Sequence, residues 1–181
     1  MDLNRLSKGE RLAGIAALVL FIASFIPMWA SVGYEQEGNE LLPEGFSAKT
    51  DLNAWSGYGI TMTIAIILAL VVAGLVLARA AGALDSVSLP APLGLVYAGA
   101  GALVLLIMLF SILTGPEGDN EIDIGFGGAY VAERGLLLFL GVLLAAGMAL
   151  GGFLHMKEEG STPPQLGNVG RGPANPPPPG T

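Results

Sequence analysis

The chain has 181 residues, of which 52% are hydrophobic and only 13% are charged, whereas an average soluble domain is roughly 25% charged. Cysteine is absent and there is a single histidine, which excludes disulfides, thiolate metal ligands, cysteine nucleophiles and metal sites built from several histidines. The formal net charge is −7. So few charged residues are typical of a membrane protein.

Four apolar stretches predict four transmembrane helices. The clearest is 59–78, GITMTIAIILALVVAGLVLA, which as a helix would be about 30 Å long and would match the hydrocarbon thickness of a bilayer. The predicted spans are 12–30, 59–79, 93–114 and 135–155. The sequence therefore predicts an all-α membrane protein, a four-transmembrane-helix bundle within residues 1–156.

The start of the first span carries a local helix signal. Residues 7–10, SKGE, fit the S-x-x-E capping box, so the first helix is expected to begin near Ser7. A signal peptide is the alternative interpretation, but the apolar core is longer than usual and residues 28–30, MWA, make a poor cleavage site. We therefore interpret this stretch as a retained span.

Two acidic segments, 31–57 and 115–133, are predicted as loops on one side of the membrane, and they hold ten of the fifteen acidic residues. The run 119–123, DNEID, resembles the start of a calcium-binding loop. An EF-hand would need glycine and glutamate where the chain has Ile124 and Tyr130. No metal site is therefore predicted, and a looser cation site shared by the two loops stays as an alternative to a solvated acidic face.

The basic residues predict the orientation. With both termini on one side, that side holds six Lys or Arg residues, and the other side holds only Lys49 and Arg134. Cationic residues near span ends are retained in the cytoplasm. We therefore expect a multi-pass protein of the cell membrane with cytoplasmic N and C termini, and with interfacial aromatic residues at Trp29, Tyr34, Trp55 and Tyr58.

Small residues recur at every fourth position in the spans, which favours close helix packing. The stripes are Gly9, Ala13 and Ala17; Ala65, Ala69 and Ala73; Gly94, Ala98 and Ala102; and the pair Gly147 and Gly151. Beyond the last span, segment 157–181 contains seven prolines, so it is predicted to be a disordered cytoplasmic tail with polyproline II character. Its PxxP patterns suggest a protein partner, and a solubilising tail is the alternative.

No pattern of catalytic, cofactor-binding or metal-ligating residues is present, and no ionisable residue lies in the middle of a span. The hydroxyls of Ser24, Thr61, Thr63 and Ser111 are expected to bond to their own backbone or to a neighbouring helix. His155 is interpreted as an interfacial anchor near a helix end. We therefore expect neither enzymatic activity nor a cofactor, and no nucleic-acid partner.

Several stretches resemble small four-span membrane proteins that are widespread in actinobacteria, carry a Pro-rich C-terminal tail and lack an assigned activity. These are GERLAGIAALVLFIASFIPMW at 9–29, NAWSGYG at 53–59 and GFGGAYVA at 125–132. The resemblance implies topology and cell-membrane location rather than an activity. The expected role is a scaffold or accessory subunit in the cell envelope, with the tail or the acidic loops contacting a protein partner. A small oligomeric transporter or channel component is the alternative, and a homo-oligomer is compatible with both.

Overall fold

The computed structural model describes residues 5–36, 47–84, 87, 91–116 and 128–160. The predicted tail beyond residue 160, the acidic run 119–123 and the PxxP motifs lie outside the described residues. The elements are α1 (Lys8–Ala23), β1 (Ala30–Gln36), β2 (Ser47–Leu52), α2 (Ala54–Gly57), α3 (Gly59–Ala80), α4 (Leu93–Thr114), β3 (Gly128–Arg134) and α5 (Leu136–Glu158).

Three helices within the described residues, α3, α4 and α5, are long and apolar enough to cross a membrane. They have 22, 22 and 23 residues, which corresponds to about 33 to 35 Å each. Their bounds agree closely with the predicted spans 59–79, 93–114 and 135–155, although α5 continues for three residues beyond the last of these. The chain is therefore a mostly helical protein of the membrane class.

The first predicted span differs from the structure at its far end, whereas the helix begins next to Ser7, as the capping box predicts. Helix α1 has 16 residues, or about 24 Å, and it ends at Ala23 rather than near residue 30. Beyond it the chain turns at Ser24 and reaches Pro27, which cannot donate a backbone hydrogen bond, before β1 begins at Ala30. The helix starts earlier than the predicted span because the capping box at Ser7 extends it, and both reciprocal bonds of that box are present.

A three-stranded antiparallel sheet, in the order β2-β1-β3, corrects the all-α prediction. Strand β1 is central and pairs with β2 from Ala30 opposite Leu52, and with β3 from Ala30 opposite Arg134. The sheet is built from parts of both predicted outer loops. Its β1–β3 pairing joins positions separated by about a hundred residues, which a local pattern in the sequence does not reveal.

Small residues set the helix packing, in which α1 and α4 each contact both α3 and α5. The predicted stripes on α1 and α3 are buried, and Gly151 of α5 lies against the backbone of α1. On α4, Gly94 lies against Met156 and Ala98 against Gly152, as the stripe predicts, but the third position differs, because Gly101 is buried against Ala149 while Ala102 is exposed. Most of the predicted small-residue positions therefore face a neighbouring helix of the same chain.

Trp29 connects the sheet to the helices. Its side chain is 0% exposed, and its Nε1 donates a hydrogen bond of 2.7 Å to the carbonyl of Ala23. The carbonyl of Trp29 accepts from Gly135 N at 2.7 Å and from the hydroxyl of Tyr58 at 3.2 Å. Trp29 therefore lies at the helix ends, as predicted, but inside the protein rather than in contact with lipid.

Candidate functional site: a buried ionic cluster at one end of the helices

The ends of α1, α3 and α5 opposite the sheet carry a cluster of ionisable side chains, which we call the ionic cluster. It consists of Glu10 in the first turn of α1, Arg79 near the end of α3, and His155 and Glu159 at the end of α5. Glu10 is 0% exposed and His155 is 1% exposed. Buried ionisable groups are costly unless they are paired, so their contacts define what the site can do.

Glu10 is the centre of the cluster. Its Oε1 lies 2.7 Å from Nε of Arg79 and 3.4 Å from Nε2 of His155. Glu159 closes the arrangement, because its Oε1 lies 3.2 Å from the same His155 nitrogen and 3.7 Å from Nη2 of Arg79. Two carboxylates thus surround one guanidinium and one imidazole, and the contacts join three helices.

Ser7 orients the imidazole from the other side. Its Oγ lies 2.9 Å from Nδ1 of His155 and already accepts a bond of 3.1 Å from the backbone N–H of Glu10. A hydroxyl can donate and accept at the same time, so Ser7 pairs with the imidazole while it caps α1.

Tyr97 of α4 brings a further polar group to this region. Its ring lies 5.9 Å from the His155 ring, centroid to centroid, at an angle of 32°. The side chain is 0% exposed, and its hydroxyl has no hydrogen-bond partner among the described residues. A buried polar group of this kind costs about 1 to 3 kcal/mol and calls for a functional or structural explanation.

The structure changes the interpretation of two residues from the sequence. His155 was expected to anchor α5 at the membrane surface, but it is buried between α5, α1 and α4. The sequence identifies Glu10 only as a capping residue, and the structure shows that it is also the ion-pair partner of Arg79. The spacing of His155 and Glu159 over one helical turn was the available signal, but only the packing shows that Glu10 faces it.

Hydroxyl groups within the apolar helices bond as predicted. Thr63 Oγ1 donates to the carbonyl of Gly59 at 3.0 Å, and Ser111 Oγ donates to that of Ile107 at 3.0 Å. Ser24 Oγ donates to Phe21 O at 2.6 Å. These three hydroxyls therefore donate their hydrogen bonds to the backbone of their own helix.

Among the described residues, no group of three or more His, Asp or Glu side chains is arranged to hold a metal ion.

At the sheet end, an ion pair joins the two predicted outer loops. Lys49 of β2 contacts Glu133 of β3 across the central strand, and Ser31 Oγ of β1 lies 3.5 Å from the same carboxylate. The hydrogen bond from Lys49, together with its charge, holds the pKa of Glu133 below its usual value. Arg134 donates from Nε to the carbonyl of Ile112 at 2.7 Å and so ties β3 to α4.

No protein-family model matches the chain, and no curated protein sequence matches it significantly. The site and the fold therefore carry the functional argument.

Proposed function

We propose that the chain is a non-enzymatic integral membrane protein with four spans, which acts as a scaffold or accessory subunit in the cell envelope. One observation carries the proposal: within the described residues, parts of the two predicted outer segments form a single sheet that is tied to the helix ends. A protein that presents a fixed surface outside the membrane is suited to holding a partner. The resemblance to small actinobacterial four-span proteins supports the four-span topology of the proposal and not the role.

In addition to α3, α4 and α5, the proposal takes α1 and the turn that follows it as a membrane span. Ile15 and Ile22 of α1 are 63% and 57% exposed, which suits contact with lipid. Phe25 and Met28, beyond the helix end, are also exposed and lengthen the apolar surface toward the sheet. Four spans place both termini on one side, and the distribution of basic residues makes that side the cytoplasm.

The sheet offers two edges for a partner. Within the described residues β2 and β3 are each paired on one side only, because β1 lies between them. An unpaired strand edge can accept a strand from another protein through main-chain hydrogen bonds. The connections to Gly135 and Tyr58 through Trp29 fix the sheet on the helices, so that a bound partner would be held at a defined distance from the membrane.

A small oligomeric transporter or channel component is the second candidate, and the ionic cluster is the observation that favours it. Ionisable groups at membrane depth are costly and often mark an ion pathway. Glu10 and His155 lie within about one turn of the helix ends, however, and the centre of the protein is filled by apolar side chains such as Ile66, Val104 and Met148, all 0% exposed. The scaffold role accounts for the sheet and is compatible with this apolar interior, so we prefer it.

The test is purification from native membranes in mild detergent, with mass spectrometry of the proteins that co-elute. The intact chain is compared with a version that ends at Gly160, with Thr50→Lys on the β2 edge, and with Ser56→Lys as a matched control. Thr50 and Ser56 are both exposed, and Ser56 lies outside the sheet. Truncation at Gly160 keeps Glu158, whose Oε2 accepts from Gly9 N at 3.4 Å, and it also keeps Glu159 of the ionic cluster.

A stoichiometric partner that is lost with Thr50→Lys and retained with Ser56→Lys would identify the sheet edge as the contact. A partner lost only on truncation would identify the tail instead. Recovery of the same homo-oligomer, without a partner, from every preparation would contradict the scaffold. Flux measured in liposomes would then test the transporter.

A further inference from the structure

An apolar groove runs between α1 and α3 near the predicted cytoplasmic ends of both helices. It has a volume of about 250 Å³ and is lined by Arg11, Ile15 and Leu18 of α1 and by Ala73, Leu77 and Ala80 of α3, among others. The two sets share the same spacing of four and then three residues, so each forms a stripe on one helix face. From Arg11 to Leu18 the groove extends about 10 Å along the helix axis.

Small residues form this groove. Gly14 lets the two helices touch, since a Cβ added there would lie 2.7 Å from Cγ1 of Val76. The short side chains of Ala73 and Ala80 leave room beside this contact. A cavity with apolar walls does not hold water well and accepts apolar ligands instead. For a groove on the surface of a membrane protein, the surrounding apolar ligand is a lipid acyl chain.

Arg11 adds a positive charge to the end of the groove. Its side chain is exposed and makes no ion pair within the described residues, whereas the nearby Arg79 is held by Glu10 and Glu159. Arg11 lies near the start of α1, at the level expected for lipid headgroups. A guanidinium binds phosphate oxygens through paired hydrogen bonds.

We propose that this groove binds one anionic phospholipid of the cytoplasmic leaflet, with an acyl chain between α1 and α3 and the headgroup phosphate on Arg11. The proposal rests on the four-span orientation proposed above, but not on the scaffold role. Anionic lipids are the fitting ligands because the cytoplasmic leaflet is rich in them. Zwitterionic lipids would lose the net charge attraction to Arg11 while keeping the apolar contacts.

Fluorescence quenching by brominated lipids tests the proposal in the full-length chain. Ile15→Trp places a reporter at the groove edge, and Leu150→Trp on α5 is the matched control, since these positions are 63% and 58% exposed and each lies about two turns from the predicted cytoplasmic end of its helix. Each variant is reconstituted in phosphatidylcholine vesicles that contain either dibromo-phosphatidylglycerol or dibromo-phosphatidylcholine. The signal of the parent chain, which contains Trp29 and Trp55, is subtracted.

We expect position 15 to bind the brominated phosphatidylglycerol about fivefold more tightly than the brominated phosphatidylcholine, the ratio that corresponds to one basic residue at an anionic surface. Position 150 should show no preference, and adding Arg11→Gln should abolish the preference at position 15. Equal quenching by both lipids at position 15, or a preference that survives Arg11→Gln, would overturn the proposal. Quenching at position 15 that falls for both lipids as the protein-to-lipid ratio rises would overturn it too, because a second copy of the chain would then cover the groove.

Discussion

The contact between α1 and α5 depends on a glycine that leaves no room for a side chain. A Cβ added to Gly151 would lie 2.6 Å from the backbone N of Ala13 and 2.7 Å from the carbonyl oxygen of Gly9. Both atoms belong to the α1 backbone, which cannot rotate away as a side chain could. The substitution Gly151→Ala therefore has to push the two helices apart.

The expected cost combines two opposing terms. Overpacking of a well-packed core costs about 1 to 3 kcal/mol, and it is offset by up to about 1 kcal/mol because alanine favours a helix more than glycine does. The middle of the first range less the second term leaves a net destabilisation of about 1 kcal/mol for Gly151→Ala, and places it about 1 to 3 kcal/mol below a Gly→Ala change that makes no such contact. The matched control is Gly74→Ala in α3, where an added Cβ meets nothing within 4 Å, and where only the helix propensity changes.

The assay is reversible unfolding in mixed micelles of increasing sodium dodecyl sulfate content, followed by far-ultraviolet circular dichroism. Gly151→Ala should lower the midpoint, while Gly74→Ala should leave it unchanged or raise it slightly. Equal midpoints for the two variants, or a higher one for Gly151→Ala, would refute the argument from close backbone contact.

Three further predictions follow from the ionic cluster, the sheet and the topology. Replacing Glu10 by alanine removes the nearest carboxylate of Arg79, which is 35% exposed, and one of the two carboxylates beside the buried His155. The same assay should show a loss of about 2 to 3 kcal/mol, below the usual 3 to 5 for a buried pair because water screens the arginine, and an unchanged midpoint would contradict this. Lys49 lowers the pKa of Glu133, so their pair stabilises the fold fully above the usual carboxyl pKa, and this stabilisation is lost as the pH falls through the lowered pKa. The unfolding midpoints of the parent and of Glu133→Gln should therefore converge in acid. A difference between them that stays constant with pH would argue against the pair. Single cysteines at Asn39 and Asn168 in this cysteine-free chain should react with an impermeant thiol reagent in intact cells at position 39 only, and labelling at 168 would reverse the orientation.

Features that depend on local sequence were predicted correctly. Helices α3, α4 and α5 follow from uncharged apolar runs, because a backbone in lipid must satisfy its own hydrogen bonds and a helix does so within one segment. The start of α1 near Ser7 follows from the capping box, whose partners are three residues apart. The bonds of Thr63 and Ser111 to their own helices are equally local.

Features that depend on distant residues were decided by the tertiary structure. The sheet pairs β1 with β3, whose residues meet only because α1 ends and α5 begins at the same end of the helices. Residues such as Glu10, Arg79 and His155 each look like ordinary helix-terminal charges in the sequence, and they form one buried cluster only where three helix ends converge. Which segments suit the membrane can be read from the amino-acid order alone, since that depends on composition along one helix. The fold decided which polar groups are buried together, since that depends on which helices are neighbours.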